Sequence, residues 1–175
     1  FDINKLVNSS VNNNYDGFEL NADYRISNKL YIASEIGLIN NTEDEEYLNF
    51  TTKGTYIKSG IDYNMYTNWL DMQNMIFAGF RIGYSDFDQI INNYTIYDTN
   101  NQIWGQSFIN TPINNEDLSS LWVELIIGLK AEIFNNLFLG FNLEVKKMVN
   151  SEIKNNIQNM YVPGFNKTFE GSSFG

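Results

Sequence analysis

Twelve ionisable side chains stand at alternate positions of regular segments, a spacing that would place their charges on one face. They are Glu19, Asp23, Arg25, Glu35, Lys58, Asp62, Arg81, Glu124, Lys130, Glu132, Glu144 and Lys146. Paired carboxylates can serve as acid and base in glycoside hydrolysis. Seven acids here interleave with five bases, and an unpaired buried charge is costly. We therefore interpret the set as a structural network of ion pairs and expect no catalytic residue.

The composition removes several other chemistries. The chain has no histidine, the commonest general base and metal ligand at neutral pH, and no cysteine for disulfides or thiolate sites. The acidic run TEDEE (42–46) could bind calcium, but it lacks the ligand spacing of a defined calcium loop, so a solvated loop is favoured. We expect no cofactor, no metal and no enzymatic activity, and the sequence identifies no small-molecule substrate. The net charge of −10 argues against nucleic acid as a partner.

The charged positions belong to segments in which apolar and polar residues alternate. These segments are GFELNADYRI (17–26), YIASEIGLI (31–39), YIKSGIDYNMY (56–66), IFAGFRIGYS (76–85), LWVELIIGLKAEI (121–133) and LFLGFNLEVK (137–146). A period of two is typical of β-strands. With FDIN (1–4) the sequence predicts about seven strands, no helix of useful length, and one domain spanning residues 1–175.

The connections between these segments alternate between short and long. Short ones lie near 27–29, 67–74 and 134–136, and long ones near 8–17, 40–54, 86–119 and 149–171. Short turns on one rim and long loops on the other are typical of outer-membrane barrels. Closure needs an even number of strands, so we expect the segment to be clipped at both ends. An eighth strand would begin near Ser173 and return beside the first.

Alternation alone does not say whether the apolar face meets lipid or the protein interior. A soluble lipocalin-like barrel would turn it inward. Ten residues span roughly 33 Å, which a tilt near 40° projects to about 25 Å, the height of a lipid-facing band. The apolar face carries hardly a charge, whereas the other mixes charged residues with glycines, as a narrow lumen filled by ion pairs would. We therefore predict an apolar face turned to lipid and a plugged interior, which argues against a porin.

Aromatic residues, 15% of the chain, cluster near the predicted strand ends, as in the aromatic belts at membrane interfaces. Those assigned to the short-turn rim are Tyr24, Tyr31, Tyr63, Tyr66, Trp69, Phe134 and Phe138. Those assigned to the long-loop rim are Tyr47, Phe50, Tyr84, Phe87 and Trp122. We expect both groups to mark the edges of the lipid-facing band.

The last long connection contains the segment YVPGF, in which a Pro-Gly turn is flanked by aromatic residues. Tyr161, Pro163, Gly164 and Phe165 could form a knuckle that contacts a partner protein. The alternative is that this segment folds back over the mouth of the barrel.

Three stretches resemble a family of small, uncharacterised outer-membrane β-barrels common in the Bacteroidota. They are GFELNADYRISNKLYIASEIG (17–37), LKAEIFNNLFLGFNLEVKKMV (129–149) and YVPGF (161–165). The resemblance covers most of the chain, but its motifs are strand and turn patterns without a catalytic signature. It implies an up-and-down antiparallel transmembrane β-barrel of eight strands in the bacterial outer membrane.

These observations lead to an expected function. The protein would be a non-enzymatic structural or accessory subunit of a larger outer-membrane complex for assembly, secretion or transport. Its partners would be outer-membrane lipid and outer-membrane proteins. One alternative is a surface-exposed ligand-binding or adhesin-like barrel that uses its long loops. The other is a soluble lipocalin-like carrier.

Overall fold

The computed structural model describes residues 3–12, 14–67, 74–96, 107–134, 137–167 and 171–175. The elements in chain order are α1 Ile3–Val11, β1 Tyr15–Arg25, β2 Leu30–Glu45, β3 Leu48–Thr67, β4 Met75–Ile96, β5 Ser107–Ile109, β6 Ile113–Phe134, β7 Leu137–Ser151, β8 Tyr161–Val162, β9 Asn166–Lys167 and β10 Ser172–Phe174. Strands make up most of this part of the chain. The prediction of an all-β antiparallel fold is therefore confirmed.

The main sheet is an up-and-down meander in which successive long strands pair with each other. Its order is β1-β2-β3-β4-β6-β7-β10, and β5 pairs with the far end of β4. All these pairings are antiparallel. Strands β8 and β9 form a separate two-stranded sheet.

The sheet is curled, because side chains on strands that are not neighbours meet across its concave face. Asp23 of β1 lies 3.1 Å from Lys130 of β6, and Lys58 of β3 lies 3.8 Å from Glu144 of β7. The same residues stand on the polar face of the predicted alternation. The concave side is therefore the polar side.

The described residues do not show a closed barrel. Strand β10 begins close to the predicted Ser173 and pairs with Val145–Lys147 of β7, and the ladder continues between Gly175 and Glu144. Within the described ranges, β1 pairs only with β2, so its other edge faces the free part of β7 across a gap. The expected pairing of the eighth strand with the first is thus not present.

The sequence predicted a strand at FDIN (1–4), but the structure has the helix α1 there. Of these four residues the structure describes only Ile3 and Asn4. The segment INKLVNSSV places Ile3, Leu6 and Val7 at positions i, i+3 and i+4, which is helical spacing. From this helix, the Lys5 ammonium donates hydrogen bonds to Glu19 and to the Tyr56 hydroxyl on the concave face. The prediction that no useful helix exists was wrong.

Two of the predicted long loops are largely strand. β2 and β3 continue to a tight turn at residues 46–47, and β4 and β6 each reach 22 residues. Thr42 and Thr51 face each other across this extension with their hydroxyls 2.9 Å apart. Threonine favours strands, so polar composition alone did not mark a loop here.

The orientation of the two faces is the one that the alternation predicts. Glu124 is 1% exposed, whereas its neighbour Leu125 is 63% exposed and Ile127 is 62% exposed. The same holds on β2 and β3, where Ile36 and Ile57 point outward. The charged face lies inside the curl, and the aliphatic face forms the outer wall.

A hydrophobic cluster fills the interior at the long-loop end of the sheet. Phe50, Phe87 and Trp122, which were assigned to an aromatic belt, are instead buried in this cluster. Each lies at a position of its strand whose side chain points into the interior. Trp122, for example, is two residues before Glu124 and shares its face. The other belt residues divide as follows: Tyr24, Tyr47, Tyr63, Tyr66, Tyr84, Phe134 and Phe138 are exposed, Tyr31 is half-buried on the inner face, and Trp69 lies outside the described residues.

Candidate functional site

The register of the sheet places charged side chains from different strands at one level of the interior. Arg81 of β4 is paired with Glu124 of β6, and Glu124 is paired with Lys146 of β7. On the other side, Glu35 of β2 is paired with Lys58 of β3. Since neighbouring strands lie about 4.8 Å apart, these pairings put oppositely charged groups within reach of each other.

Lys58 is the centre of this interior network. Its ammonium lies 3.0 Å from Glu35, 3.4 Å from Glu124 and 3.8 Å from Glu144. Lys146 contacts two of the same acids, Glu144 at 3.0 Å and Glu124 at 3.8 Å. Three carboxylates thus share two ammonium groups, and the nearby Arg81 guanidinium supplies a third positive charge.

Arg81 extends the network toward the short-turn rim. Its guanidinium makes two hydrogen bonds to Asp62, at 2.7 and 2.8 Å, and its Nε lies 3.6 Å from Glu35. Both Arg81 and Asp62 are almost fully buried. A bidentate pair of this kind fixes both side chains in one geometry.

Two members of the network were not predicted. Lys5 of α1 contacts Glu19, and the Tyr56 hydroxyl donates to the same carboxylate. The ammonium of Lys5 also lies 4.8 Å from the centre of the Tyr56 ring. Tyr56 could have been found from the sequence because it lies on the charged face, two residues before Lys58. Lys5 could not, because the helix that carries it was not recognised.

Four of the predicted members stand apart from the central layer. Asp23 and Lys130 form their own, partly exposed pair at 3.1 Å. Arg25 donates to the Ser27 carbonyl within the turn after β1, at 3.1 Å, so it does not enter the interior. Glu132 lies at the end of β6, where its backbone N–H donates to Asn74 Oδ1 at 3.0 Å.

The half of the interior nearer the short turns is not filled. A cavity of about 2130 Å³ opens there, extends into the gap between β1 and β7, and reaches Tyr161 and Gly164 at the long-loop end. At the short-turn end its inner wall includes Asn64 and Phe77. The interior is therefore only partly filled, because the sheet is not closed on this side.

The YVPGF segment folds into the mouth of the curl, which was the alternative to a partner-contact knuckle. We call residues Met160–Phe165 the plug. Tyr161, Val162, Pro163, Gly164 and Phe165 are all buried, with Tyr161 the most exposed of the aromatic and aliphatic side chains at 6%. A segment buried in this way lies where the alternative places it, and its contact with a partner protein stays a prediction.

The plug is held by both its backbone and its rings. Lys146 donates to the Gly164 carbonyl at 2.8 Å, and the Phe165 ring packs edge-on against Trp122 with their centres 5.9 Å apart. Gly164 has a φ of +79°, and a side chain there would meet the Tyr56 ring. Burial raises the pKa of the Tyr161 phenol well above its usual range.

The chemistry available in this interior is limited. Glu124, the most buried acid, accepts a hydrogen bond from the Trp122 indole at 2.7 Å and lies among lysines, where no substrate can reach it. Within the described ranges, no group of acidic residues is arranged to hold a metal ion. None of the described helices has the length and apolar character needed to span a membrane. The arrangement supports a structural role for these charges.

Comparison with known proteins shows one family. The chain belongs to the family described as a domain of unknown function, DUF6048, whose model matches residues 1–175. No curated protein and no solved structure is significantly similar to it.

Proposed function

We propose that this protein is a small outer-membrane β-barrel without enzymatic activity, and that it acts as a structural or accessory subunit of a larger outer-membrane complex. One observation carries the proposal: the aliphatic face of the sheet points outward and the charged face points inward. Ile127, at 62% exposure, and Glu124, at 1%, are three residues apart on the same strand. The resemblance of residues 17–37, 129–149 and 161–165 to small outer-membrane barrels of the Bacteroidota agrees with this reading.

The outer wall favours lipid over water as its surroundings. Soluble monomers rarely expose continuous apolar patches larger than a few hundred Å². Here the exposed positions of β6 alone include Leu121, Leu125, Ile127, Leu129 and Ile133. The wall continues on β7 and β4, so its extent exceeds what a water-exposed surface normally carries.

A barrel in lipid also has to close. Backbone N–H and C=O groups at an open strand edge have no hydrogen-bond partner in hydrocarbon, so a spanning sheet must be a complete ring. Strand β10 already lies antiparallel to β7 as far as Gly175. We propose that β10 marks the place where the ring closes, between β7 and the free edge of β1.

The subunit role follows from what the interior does not offer. Its central acids and bases are paired with each other, and its long-loop end is covered by the plug. In the part of the chain that the structure describes, this pairing argues against a catalytic centre built on the central charges. The surfaces left for a biological role are the outer wall and the long-loop end, which are the surfaces through which a small barrel contacts other membrane proteins.

One observation favours the second candidate, a surface-exposed ligand-binding barrel. Tyr47 and Phe108 are 46% and 63% exposed at the far end of the sheet, beyond the aliphatic wall. Phe108 is paired with Thr95, whose backbone N–H donates to the Tyr47 carbonyl at 2.9 Å. Two exposed rings side by side could contact a ligand from outside.

A mild-detergent pull-down tests the proposal. The tagged protein is extracted from isolated outer membranes, and the proteins that accompany it are identified by mass spectrometry. A defined outer-membrane complex that survives the double substitution Tyr47→Ser, Phe108→Ser would support the subunit role. Recovery as a strict monomer would contradict it, and recovery in the aqueous fraction without detergent would contradict the membrane location as well.

A further inference from the structure

The wall behind the plug contains a row of polar side chains, although the plug and the cluster that it joins are apolar. Thr52 of β3, Gln89 of β4 and Asn115 of β6 are paired in one row across the sheet and are at most 1% exposed. Ser85, four residues before Gln89 on the same face, is also fully buried. A row of buried hydroxyl and amide groups is unusual beside the apolar cluster that contains Val162 and Phe165.

This row uses only part of its hydrogen-bonding capacity. Gln89 Oε1 accepts from the Met160 backbone N–H at 3.0 Å, and Asn115 Oδ1 accepts from the Asn155 side chain at 2.6 Å. Among the described residues, Gln89 Nε2, Asn115 Nδ2, Thr52 Oγ1 and Ser85 Oγ are buried without a partner. Buried polar groups are nearly always paired, so four such atoms around one segment point to a second arrangement in which they are satisfied.

The contacts that hold the plug are backbone hydrogen bonds and ring contacts, which could also hold a segment of another protein. Gln89 accepts from a backbone N–H, and Lys146 donates to a backbone carbonyl. Ring contacts, such as Phe165 on Trp122, supply selectivity for aromatic side chains. Backbone hydrogen bonds combined with side-chain pockets are the usual basis of peptide recognition.

We propose that this pocket is a binding site for a short, aromatic-containing segment of a partner protein, and that the plug occupies it in cis until the partner displaces it. The amide donors of Gln89 and Asn115, which the plug does not use, would donate to carbonyls of the incoming segment. The inference rests on the proposed function for its context, since it names the kind of contact by which a partner subunit engages the long-loop end.

Displacement of the plug can be measured with a single cysteine, because the chain contains none. Ser85→Cys places a thiol behind the plug, and its rate of reaction with a water-soluble maleimide reports how often the pocket opens. Gly164→Ala forces a side chain against Tyr56 at a φ of +79° and should speed this reaction. Phe165→Ala serves the same purpose if Gly164→Ala does not fold. Ala33→Cys, in the wall of the open cavity, is the control whose rate should not change.

A second variant works in the opposite direction. Thr52→Val keeps the shape of the side chain but removes a buried hydroxyl that has no hydrogen-bond partner. The closed pocket should therefore become more stable relative to the open one. Thr52→Val should slow labelling of Ser85→Cys by at least about fivefold, while Gly164→Ala speeds it by a similar factor. If both variants label at the parent rate, the plug is a fixed part of the fold and the proposal is overturned.

A synthetic peptide of residues 158–167, QNMYVPGFNK, tests the pocket itself. Added to the Gly164→Ala variant in detergent, it should protect Ser85→Cys, and a matched peptide with both rings replaced by alanine should not. Equal protection by both peptides, or by neither, would overturn the assignment of a peptide site. These assays use the isolated protein. They can therefore fail while the pull-down still finds a complex, and they can succeed while the pull-down finds none.

Discussion

Replacing Ile127 by arginine separates a lipid-facing wall from a water-facing one, because the two predict opposite effects. Ile127 is 62% exposed on the outer face of β6. In water, exchanging an exposed aliphatic side chain for a charged one changes stability little and improves solubility. In a bilayer, the same exchange places a guanidinium in hydrocarbon.

The position of Ile127 sets the expected magnitude. The outward residues of β6 run from Leu121 to Ile133, and Ile127 is six residues from each. Six residues span roughly 20 Å along a strand, or about 15 Å along the membrane normal at a tilt near 40°. In the proposed membrane-spanning arrangement Ile127 would lie at the midplane, where arginine costs about 2–4 kcal/mol. This corresponds to a change of roughly 30-fold to 1000-fold in the unfolding equilibrium constant.

Denaturant titration of the protein folded into lipid vesicles measures this cost, with the fluorescence of the buried Trp122 as the signal. Asn40→Arg is the matched control, because Asn40 is exposed on the outer face of β2 beyond the aliphatic wall, where it is paired with Lys53. That variant should differ from the parent by less than about 1 kcal/mol. If Ile127→Arg and Asn40→Arg cost the same, the outer wall does not face lipid.

Three other perturbations test the interior. Arg81→Met should destabilise the fold by about 3–5 kcal/mol, because it leaves the buried Asp62 carboxylate unpaired. The double variant Arg81→Met, Asp62→Leu should recover most of this loss of stability in the same titration. If it recovers none, the pairing of Arg81 with Asp62 is contradicted. Phe165→Ala should undock the plug, since removing a buried phenylalanine ring costs about 3–5 kcal/mol, and an unchanged near-ultraviolet circular dichroism signal from Trp122 would refute this packing. Raising the pH should also release the plug. Burial raises the pKa of Tyr161. The stabilisation from its neutral form is therefore complete below pH about 10, the ordinary tyrosine value, and is lost as the pH rises beyond it. Tyr161→Phe should remove this step from a pH titration of tyrosinate absorbance, and persistence of the step in the variant would contradict the assignment.

The sequence by itself determined the six central strands and the composition of their two faces. In LWVELIIGLKAEI, the alternation of Glu124 with Leu125 and Ile127 is enough to place the first on one face and the others on the opposite face, because successive side chains of a strand point in opposite directions. The same rule would have placed Trp122 inside with Glu124. The assignment of Trp122 to an aromatic belt was wrong because the aromatic character of the side chain was given more weight than its position in the alternation of the strand.

The tertiary structure decided the contacts that cross the curl and the path of the segments outside the strands. No local pattern links Lys5 to Glu19, or Lys146 to the carbonyl of Gly164, because these groups are 14 and 18 positions apart and meet only when the sheet bends. The direction of the YVPGF segment was equally open, since a Pro-Gly turn is compatible with a surface knuckle and with a plug. Strand periodicity is a property of the backbone of each residue, whereas these contacts depend on how distant segments share one interior.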